Sequence, residues 1–594
     1  MTFKNEKILV LYGSQTGNAQ DIAERIWRES KRFYFACSVK SMDEYNVLEL
    51  VNETCVVFVC ATTGQGEEPD NMKGFWKFLL RRNLPSDSLI NMRFAVLGLG
   101  DSSYTKFNFV AKRLYKRIIQ LGGDPIMSAG LGDDQHDLGY DAVADPWISQ
   151  LWDKLLQIYP LPKTVQPLEK ALTIVPRWNV QSKLLDVQSV NKTQSMYYST
   201  RKSTDFNVTL IENKRCTTPD HFQDVRLLKF KTSGQKYSPG DLIVLRPKNF
   251  EWQIDEFKDV LQSNGVNIPP ETVFTITQNE PDIPVPDVLR YEVTFQQLCE
   301  EYWDLMAIPR RYVFSILGQI TDSELEREKC LEFTTAEGQN DLYSYTNRPR
   351  RNIVEVLRDF PHATKNLTKE MLFELLAPIK PREFSIASSW KAHQNEIHVL
   401  LAVVKYKTKL VKERFGLCSN YLAELKPGDS ITAWIKHGSF KFPSADEAVI
   451  LVGPGTGVAP FRNYIFDKYA DNLATSENTI LFFGCRNKDK DFLCSEDFQK
   501  LHDQKIINLI CAFSRDQDYK IYVQDQILNN SDLIDKSLKS GAYVFVAGNA
   551  KQMPQAVRRS FVEVLIKNGM TEDDANNFIE KMEKTNRYQT ECWS

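Results

Sequence analysis

The sequence predicts a multidomain protein: α/β at each end, with an antiparallel barrel carrying a helical insert between. Three observations carry this. Over residues 1–152, near-continuous apolar runs ending in Gly or Thr alternate with helical patterns. From about residue 206 the texture turns β-rich, and from about 446 the strand–helix alternation returns. The 594 residues leave room for about three to five domain-sized units at roughly 100–200 residues each.

In the first region, "KILVLYG", "CVVFVCATTG" and "RFAVLGLG" fit strands buried on both faces of a parallel sheet. "NAQDIAERIWRES" and "FNFVAKRLYKRIIQLGG" supply helices between them. Each apolar run ends in a polar, Gly-containing loop at the carboxyl end of a strand, where open doubly wound sheets bind ligands. The first loop holds Ser14, Gln15, Thr16, Gly17, Asn18 and Ala19 and opens a helix. Its N–H groups and the positive helix end suit a phosphate dianion, although the loop has no Lys or Arg. The second loop is "ATTGQGEEPDN", 61–71; the third is "LGDSSYTKFN", 99–108, where Tyr104 is suited to stack on a flat heterocycle. Any one of these loops also reads as an ordinary capped βα turn. Three at successive strand ends point to a ligand.

Residues 153–205 lose the rhythm and read as a linker, at least partly irregular. "FNVTLIENKRC", "VRLLKFKT" and "YSPGDLIVLRP" begin the barrel, and "PREFSIASS", "EIHVLLAVVKYKT" and "DSITAWIK" resume it. Between them, at about 255–375, the pattern is helical, with "FQQLCEEYWDL" as one helix-like segment. The domains expected are therefore 1–152, a linker at 153–205, a barrel with its insert at 206–445, and a closing α/β domain at 446–594.

Hydrophobic content of 42% and charged content of 25% are ordinary for a globular chain. The net charge of −3 gives no reason to expect a nucleic-acid partner. The 11 cysteines show no C-x-x-C spacing or Cys/His cluster, so no metal site is expected and reduced thiols are the simplest reading. The first candidate strand begins at once, leaving no room for a signal peptide, and no apolar stretch reaches the ~20 residues of a membrane span.

The three loops resemble those of flavodoxin-type FMN domains, and the whole chain resembles the diflavin reductases. The resemblance implies a flavodoxin-like doubly wound FMN domain, an FAD-binding barrel with a helical connecting insert, and a ferredoxin-reductase-type NADP-binding domain. Residues 14–19 would bind the FMN phosphate. Ala61, Thr62, Thr63 and Gly64 would form one ring-side loop. Leu99, Gly100, Asp101, Ser102, Ser103, Tyr104, Thr105, Lys106, Phe107 and Asn108 would form the other, with Asp134 as a further contact. Thr63 stands where P450 reductases carry an aromatic, which leaves Tyr104 as the aromatic cover.

"PREFSIASS" resembles the FAD-domain strand R-x-[YF]-S. There Arg382 would pair with the pyrophosphate, Phe384 would lie on the ring, and Ser385 would place its hydroxyl near the hydride-accepting atom, with Glu383 between. Gly416, Leu417, Cys418 and Ser419 resemble the second FAD loop, and Arg350 matches another FAD-contacting arginine. "VGPGTGVAPFR" is a strand, a Gly-rich turn and a helix start, with Thr456 as a donor to NADPH. Ser514, Arg515, Lys520, Ile521, Tyr522, Val523 and Gln524 match residues that hold the 2′-phosphate and adenosine, so NADPH is expected over NADH. Trp593 takes the place of the FAD-stacking aromatic and Glu591 that of the active-site carboxylate. Ala547 stands where P450 reductases carry Cys. The expected catalytic set is Ser385, Glu591 and Trp593.

The resemblance implies a route from NADPH to FAD to FMN to a one-electron acceptor, with the linker letting the FMN domain swing. The likeness is greatest to the soluble branch serving cytosolic Fe–S protein assembly, which implies an anamorsin-like Fe–S protein as acceptor. It also implies a cytoplasmic monomer without a membrane anchor, with mitochondrial association as a further location. A soluble reductase for a haem acceptor, of P450 or sulfite-reductase type, is the rival among enzymes. A scaffold or stress-signalling protein is the rival outside them.

Overall fold

The computed structural model describes residues 7–64, 66–104, 106–168, 174–184, 195–410, 412–444, 446–550 and 552–593. The chain divides into two compact units, Met1–Thr200 with Glu251–Pro378, and Arg201–Phe250 with Ile379–Ser594.

The first unit holds a sheet of β1 (Lys7–Gly13), β2 (Ala36–Ser41), β3 (Cys55–Ala61), β4 (Arg93–Gly100), β5 (Asp124–Pro125) and β6 (Gly130–Asp133). The order is β2-β1-β3-β4-β5, with β6 also on β4, and every pairing is parallel. Alternate side chains of a strand face opposite ways, so an unbroken apolar run needs cover on both sides. Ile8 and Val10 pack with Ile22, Ile26 and Trp27 of helix α1 (Asn18–Ser30). Leu9 and Leu11 pack on the other face with Trp76, Leu114 and Ile118.

The helix Asp141–Ile158 runs past the expected boundary at 152, because Trp152 and Leu155 are still buried. Within the span expected as linker, Trp178–Leu184 is a strand, paired antiparallel with Thr272–Gln278. Trp178 anchors it, buried edge-on against Phe373. The insert is helical as expected. "FQQLCEEYWDL" starts as a short α-helix at Phe295–Gln297, behind a Thr294/Gln297 capping box, and continues as a π-helix over Leu298–Tyr302.

Among its described residues the second unit has two large sheets, besides the two-stranded pair Lys405–Tyr406 with Arg414–Phe415. The antiparallel one runs Arg382–Ser385, Leu242–Leu245, Ser430–Lys436, Phe206–Arg215, Val225–Lys231, Glu396–Ala402. An Ile386–Val399 bridge links its two end strands. The parallel one runs Asn508–Phe513, Thr479–Cys485, Val449–Val452, Tyr543–Asn549, Tyr588–Trp593.

A buried arginine ties the antiparallel sheet to the helices Ala459–Ala470 and Ser495–Asp503. Arg462, in the helix after the Gly-rich turn, donates to the Ala387 carbonyl (2.6 Å) and to Asp497 Oδ2 (2.9 and 2.7 Å). It also lies 3.2 Å from His398 Nδ1. A guanidinium has no acceptor, so Nδ1 must accept and Nε2–H donates to Glu396 Oε2 at 2.7 Å. His393 Nδ1 accepts from the Ser389 N–H. Burial, then the Arg462 charge, pushes His393 down to about 4 and His398 to about 2.

An unfolded histidine titrates near ~6.5. Below that pH the unfolded chain takes up protons that the folded one refuses, so stability is lost as pH falls from about 6.5 toward about 4, by roughly 1.4 kcal/mol per pH unit per histidine. Urea unfolding of the second unit between pH 7 and 5 is expected to show this loss. The loss should be visibly shallower in a His393→Gln/His398→Gln variant, and equal slopes would refute the assignment.

Candidate functional site

The Ser14–Ala19 loop is built as a cradle. Gly17 closes it at φ +97°, a left-handed conformation open to glycine, and its N–H donates to Ser14 Oγ (3.0 Å). Asn71 Oδ1 receives the Ser14 N–H at 2.8 Å. Gln15 brackets Asp70, donating to its carboxylate and accepting its N–H, each at 3.0 Å. No side chain among the described residues caps α1, so its first-turn N–H groups face the loop without a side-chain acceptor. Such a set fits a phosphate.

The ring-side loops lie beside it at the ends of β3 and β4. The Thr62 N–H donates to the Leu99 carbonyl (2.9 Å), and Thr63 closes a tight turn through two bonds to the Glu67 carbonyl (3.0 Å each). Gly64 follows at φ +47°. Asp101 Oδ1 receives both Ser103 N–H and Oγ–H (2.8 and 2.6 Å), and Ser102 N–H goes to Asp133 Oδ1 (2.9 Å). The Asp134 N–H donates to the Gly100 carbonyl (2.8 Å), which brings Asp134 to the third loop. Tyr104 and Phe107 are half-buried, Lys106 is exposed, and Thr105 lies outside the described residues. Burial pushes the Asp134 carboxyl up, Asp101 and Asp133 add to the rise, and Arg350 opposes it. Arg350 and Asp134 line, with Asn18, one cavity of about 710 Å³ in this unit.

In the second unit the Ser385 hydroxyl lies 3.5 Å from Glu591 Oε1, and Ser439 Oγ donates to Glu591 Oε2 at 2.7 Å. Glu591 is held by strand Tyr588–Trp593, where it pairs in register with Ala547. Trp593, two residues on, is 36% exposed, enough to offer its ring to a ligand. Phe384 is half-buried against the antiparallel sheet. Burial pushes the Cys418 thiol up to about 12, and the Arg382 charge opposes the rise. The helix Leu417–Glu424 begins there without a side-chain cap among the described residues. The Ser419 hydroxyl already bonds Val404 N–H (3.0 Å) and the Gly416 carbonyl (3.2 Å). Glu383 pairs with Lys436 at 2.8 Å.

The glycines of the 452–462 turn divide by role. A Cβ on Gly457 would collide with the Ala547 carbonyl, so this glycine lets the 3-10 turn Gly455–Val458 pack on the strand Tyr543–Asn549, whereas one on Gly455, at φ +57°, would meet nothing within 4 Å. Thr456 is half-buried between them, while Arg515, Lys520 and Tyr522 stand exposed near the next strand end. Tyr522 N–H is capped by Asp525 (2.8 Å), which fixes the start of the following helix. Ile521 and Gln524 are half-buried. The side chains of Ala19, Leu99, Cys418 and Val523 are buried in the cores and leave only backbone atoms for a ligand. Buried Asn108 donates to the Gly132 carbonyl (2.9 Å), and Ser514 to that of Cys485 (3.3 Å).

Three family models match the chain: Flavodoxin at 10–147, FAD binding domain at 199–421 and Oxidoreductase NAD-binding domain at 451–559. Relatives called "NADPH-dependent diflavin oxidoreductase 1" match throughout. That of Danio rerio is 46% identical over 99% of both chains, that of Xenopus laevis 44% over 99% of this chain and 100% of its own, and that of Arabidopsis thaliana 38% over 100% of both. The chain belongs to the NADPH-dependent diflavin oxidoreductase family. For a diflavin oxidoreductase, the residues that sequence reasoning missed are Asn71, Ser439 and Arg310, whose guanidinium lies 3.3 Å from the Thr16 carbonyl and 3.4 Å from Asn18 Oδ1. Ser439 and Arg310 stand in no motif. Asn71 closes the quoted 61–71 loop, the one signal available.

Proposed function

We propose that the protein passes electrons from NADPH through FAD and FMN to the Fe–S cluster of an anamorsin-like protein. The activity class follows from family membership: this is an NADPH-dependent oxidoreductase with FMN, FAD and NADPH as cofactors. When bound, FAD would accept one hydride, two electrons with a proton, and the two flavins would pass those electrons on singly.

The observation that carries the route is the convergence of Ser385, Ser439 and Glu591 beside Trp593. Ser439 fixes the carboxylate, and the carboxylate holds the Ser385 hydroxyl where a proton can be passed. Trp593 would cover the FAD ring and give way to the nicotinamide. Arg382 and the N–H groups at 417–419 bind the FAD pyrophosphate, and the antiparallel sheet serves as the FAD barrel. Residues 14–19 bind the FMN phosphate, and residues 61–64, 99–108 and Asp134 flank its ring. No helix among the described residues is long and apolar enough to cross a membrane.

The test is the purified full chain. It is expected to be yellow and to release FAD and FMN in equal amounts on denaturation. Titrated with NADPH, it should reduce an anamorsin-like Fe–S protein faster than a P450 or sulfite-reductase haem. Preference for a haem would overturn the acceptor, and a single flavin would overturn the route.

Arg515 and Lys520 are exposed cations suited to the 2′-phosphate, and a charge-assisted hydrogen bond contributes about 1.5–3 kcal/mol. Arg515→Ala is expected to lower the NADPH/NADH ratio of kcat/KM by roughly 10–100-fold. An unchanged ratio would remove Arg515 from the site.

A further inference from the structure

The Ser14–Ala19 loop carries no cation of its own, and the structure supplies one from 294 residues away. Arg310 Nη2 lies 3.3 Å from the Thr16 carbonyl oxygen and 3.4 Å from Asn18 Oδ1. A Cβ built on Gly17 would sit 2.9 Å from the same nitrogen, so the guanidinium lies directly on the loop. Both bonds are long for N–H···O, and a guanidinium has five donors. Among the described residues no carboxylate lies within ion-pair distance of Arg310. Its neighbour Arg311, by contrast, holds Asp145 through two bonds of 2.7 and 2.9 Å.

Arg310 is firmly placed. Its carbonyl accepts the Val313 N–H (3.0 Å) at the start of helix Arg311–Ile320. Asp145, which Arg311 grips, is also bonded by Arg25 of α1 at 2.6 Å. Tyr312 packs its ring 3.6 Å from the Arg28 guanidinium of the same helix. Arg310 and Tyr312 thus lie on α1 and its loop, Arg311 joins them through Asp145, and the first of the three carries an unpaired charge over the N-terminal loop.

We propose that Arg310 completes the phosphate site: the insert, and not the flavodoxin-like module alone, grips the FMN 5′-phosphate. This rests on the reading of residues 14–19 as the FMN phosphate loop. By linkage, FMN held through its phosphate also holds the insert against α1, and loosening one loosens the other.

The test compares FMN with riboflavin, which lacks the phosphate, on the full chain stripped of FMN, by quenching of flavin fluorescence. Wild type is expected to bind FMN much more tightly than riboflavin. Arg310→Gln is expected to weaken FMN binding about tenfold, the effect of one charge-assisted bond, with riboflavin unchanged and a shallower salt dependence. Arg310→Lys should recover part of the loss. An unchanged FMN affinity, or equal losses for FMN and riboflavin, would overturn the proposal, the second marking Arg310 as a packing residue. Failure of wild type to favour FMN over riboflavin would instead overturn the reading of the loop.

Discussion

Arg462→Ala is expected to destabilise the second unit by about 1–3 kcal/mol, the effect of leaving buried acceptors without their donor. The side chain is 4% exposed and reaches three groups: the Ala387 carbonyl, His398 of the antiparallel sheet and Asp497 of helix Ser495–Asp503. Without it the Ala387 carbonyl and His398 Nδ1 remain buried with no donor, and Asp497 loses its partner. Lysine keeps the charge but not the fork, so Arg462→Lys should recover only a fraction. The readout is chemical unfolding followed in the second unit. The change reaches function as well, because Ala387 lies two residues after Ser385 on the same chain segment. A variant that loses the fork should reduce its flavin slowly even where it remains folded. Wild-type stability in Arg462→Ala would show that the junction is held by packing alone.

Ser385→Ala is expected to slow flavin reduction by NADPH by roughly 10²-fold, the order seen when one positioned donor or proton-transfer group is removed. NADPH affinity should change little, since the hydroxyl faces Glu591 rather than the exposed Arg515 and Lys520. The Ser385–Glu591 distance of 3.5 Å is at the limit of a hydrogen bond. Such contacts commonly tighten only when the reacting partners are in place. Stopped-flow reduction separates the two effects. An unaltered rate constant would take Ser385 out of the catalytic set, and a weakened affinity at constant rate would make it a binding residue.

The first sheet is legible in the sequence because each of its central strands is an unbroken apolar run, and the loops are legible because each follows such a run directly. Ser385 and Glu591 were reachable only through the family likeness. No periodicity connects positions 206 residues apart. Ser439 lies in a segment without any motif, and its role appears only when the Tyr588–Trp593 strand brings Glu591 to it. Arg310 is hidden for the same reason: a cation from a helical insert looks like surface charge until the fold sets it on a loop near the start of the chain. Trp178–Leu184 escaped because its strand partner comes almost a hundred residues later, and a half-exposed strand carries few apolar residues.

The strand Leu242–Leu245 has a consequence for how the chain is made. Its two neighbours, Arg382–Ser385 and Ser430–Lys436, are both synthesised later, and Glu251–Pro378 folds into the other unit in between. As the polypeptide leaves the ribosome, the first unit has all its residues once Pro378 is out, while Leu242–Leu245 still waits for a pairing edge. Closing so long a loop adds little to the equilibrium cost, about 0.6 kcal/mol for each doubling of length. The waiting time is the exposed interval, and an apolar strand left unpaired during translation is where a nascent chain meets chaperones or aggregates.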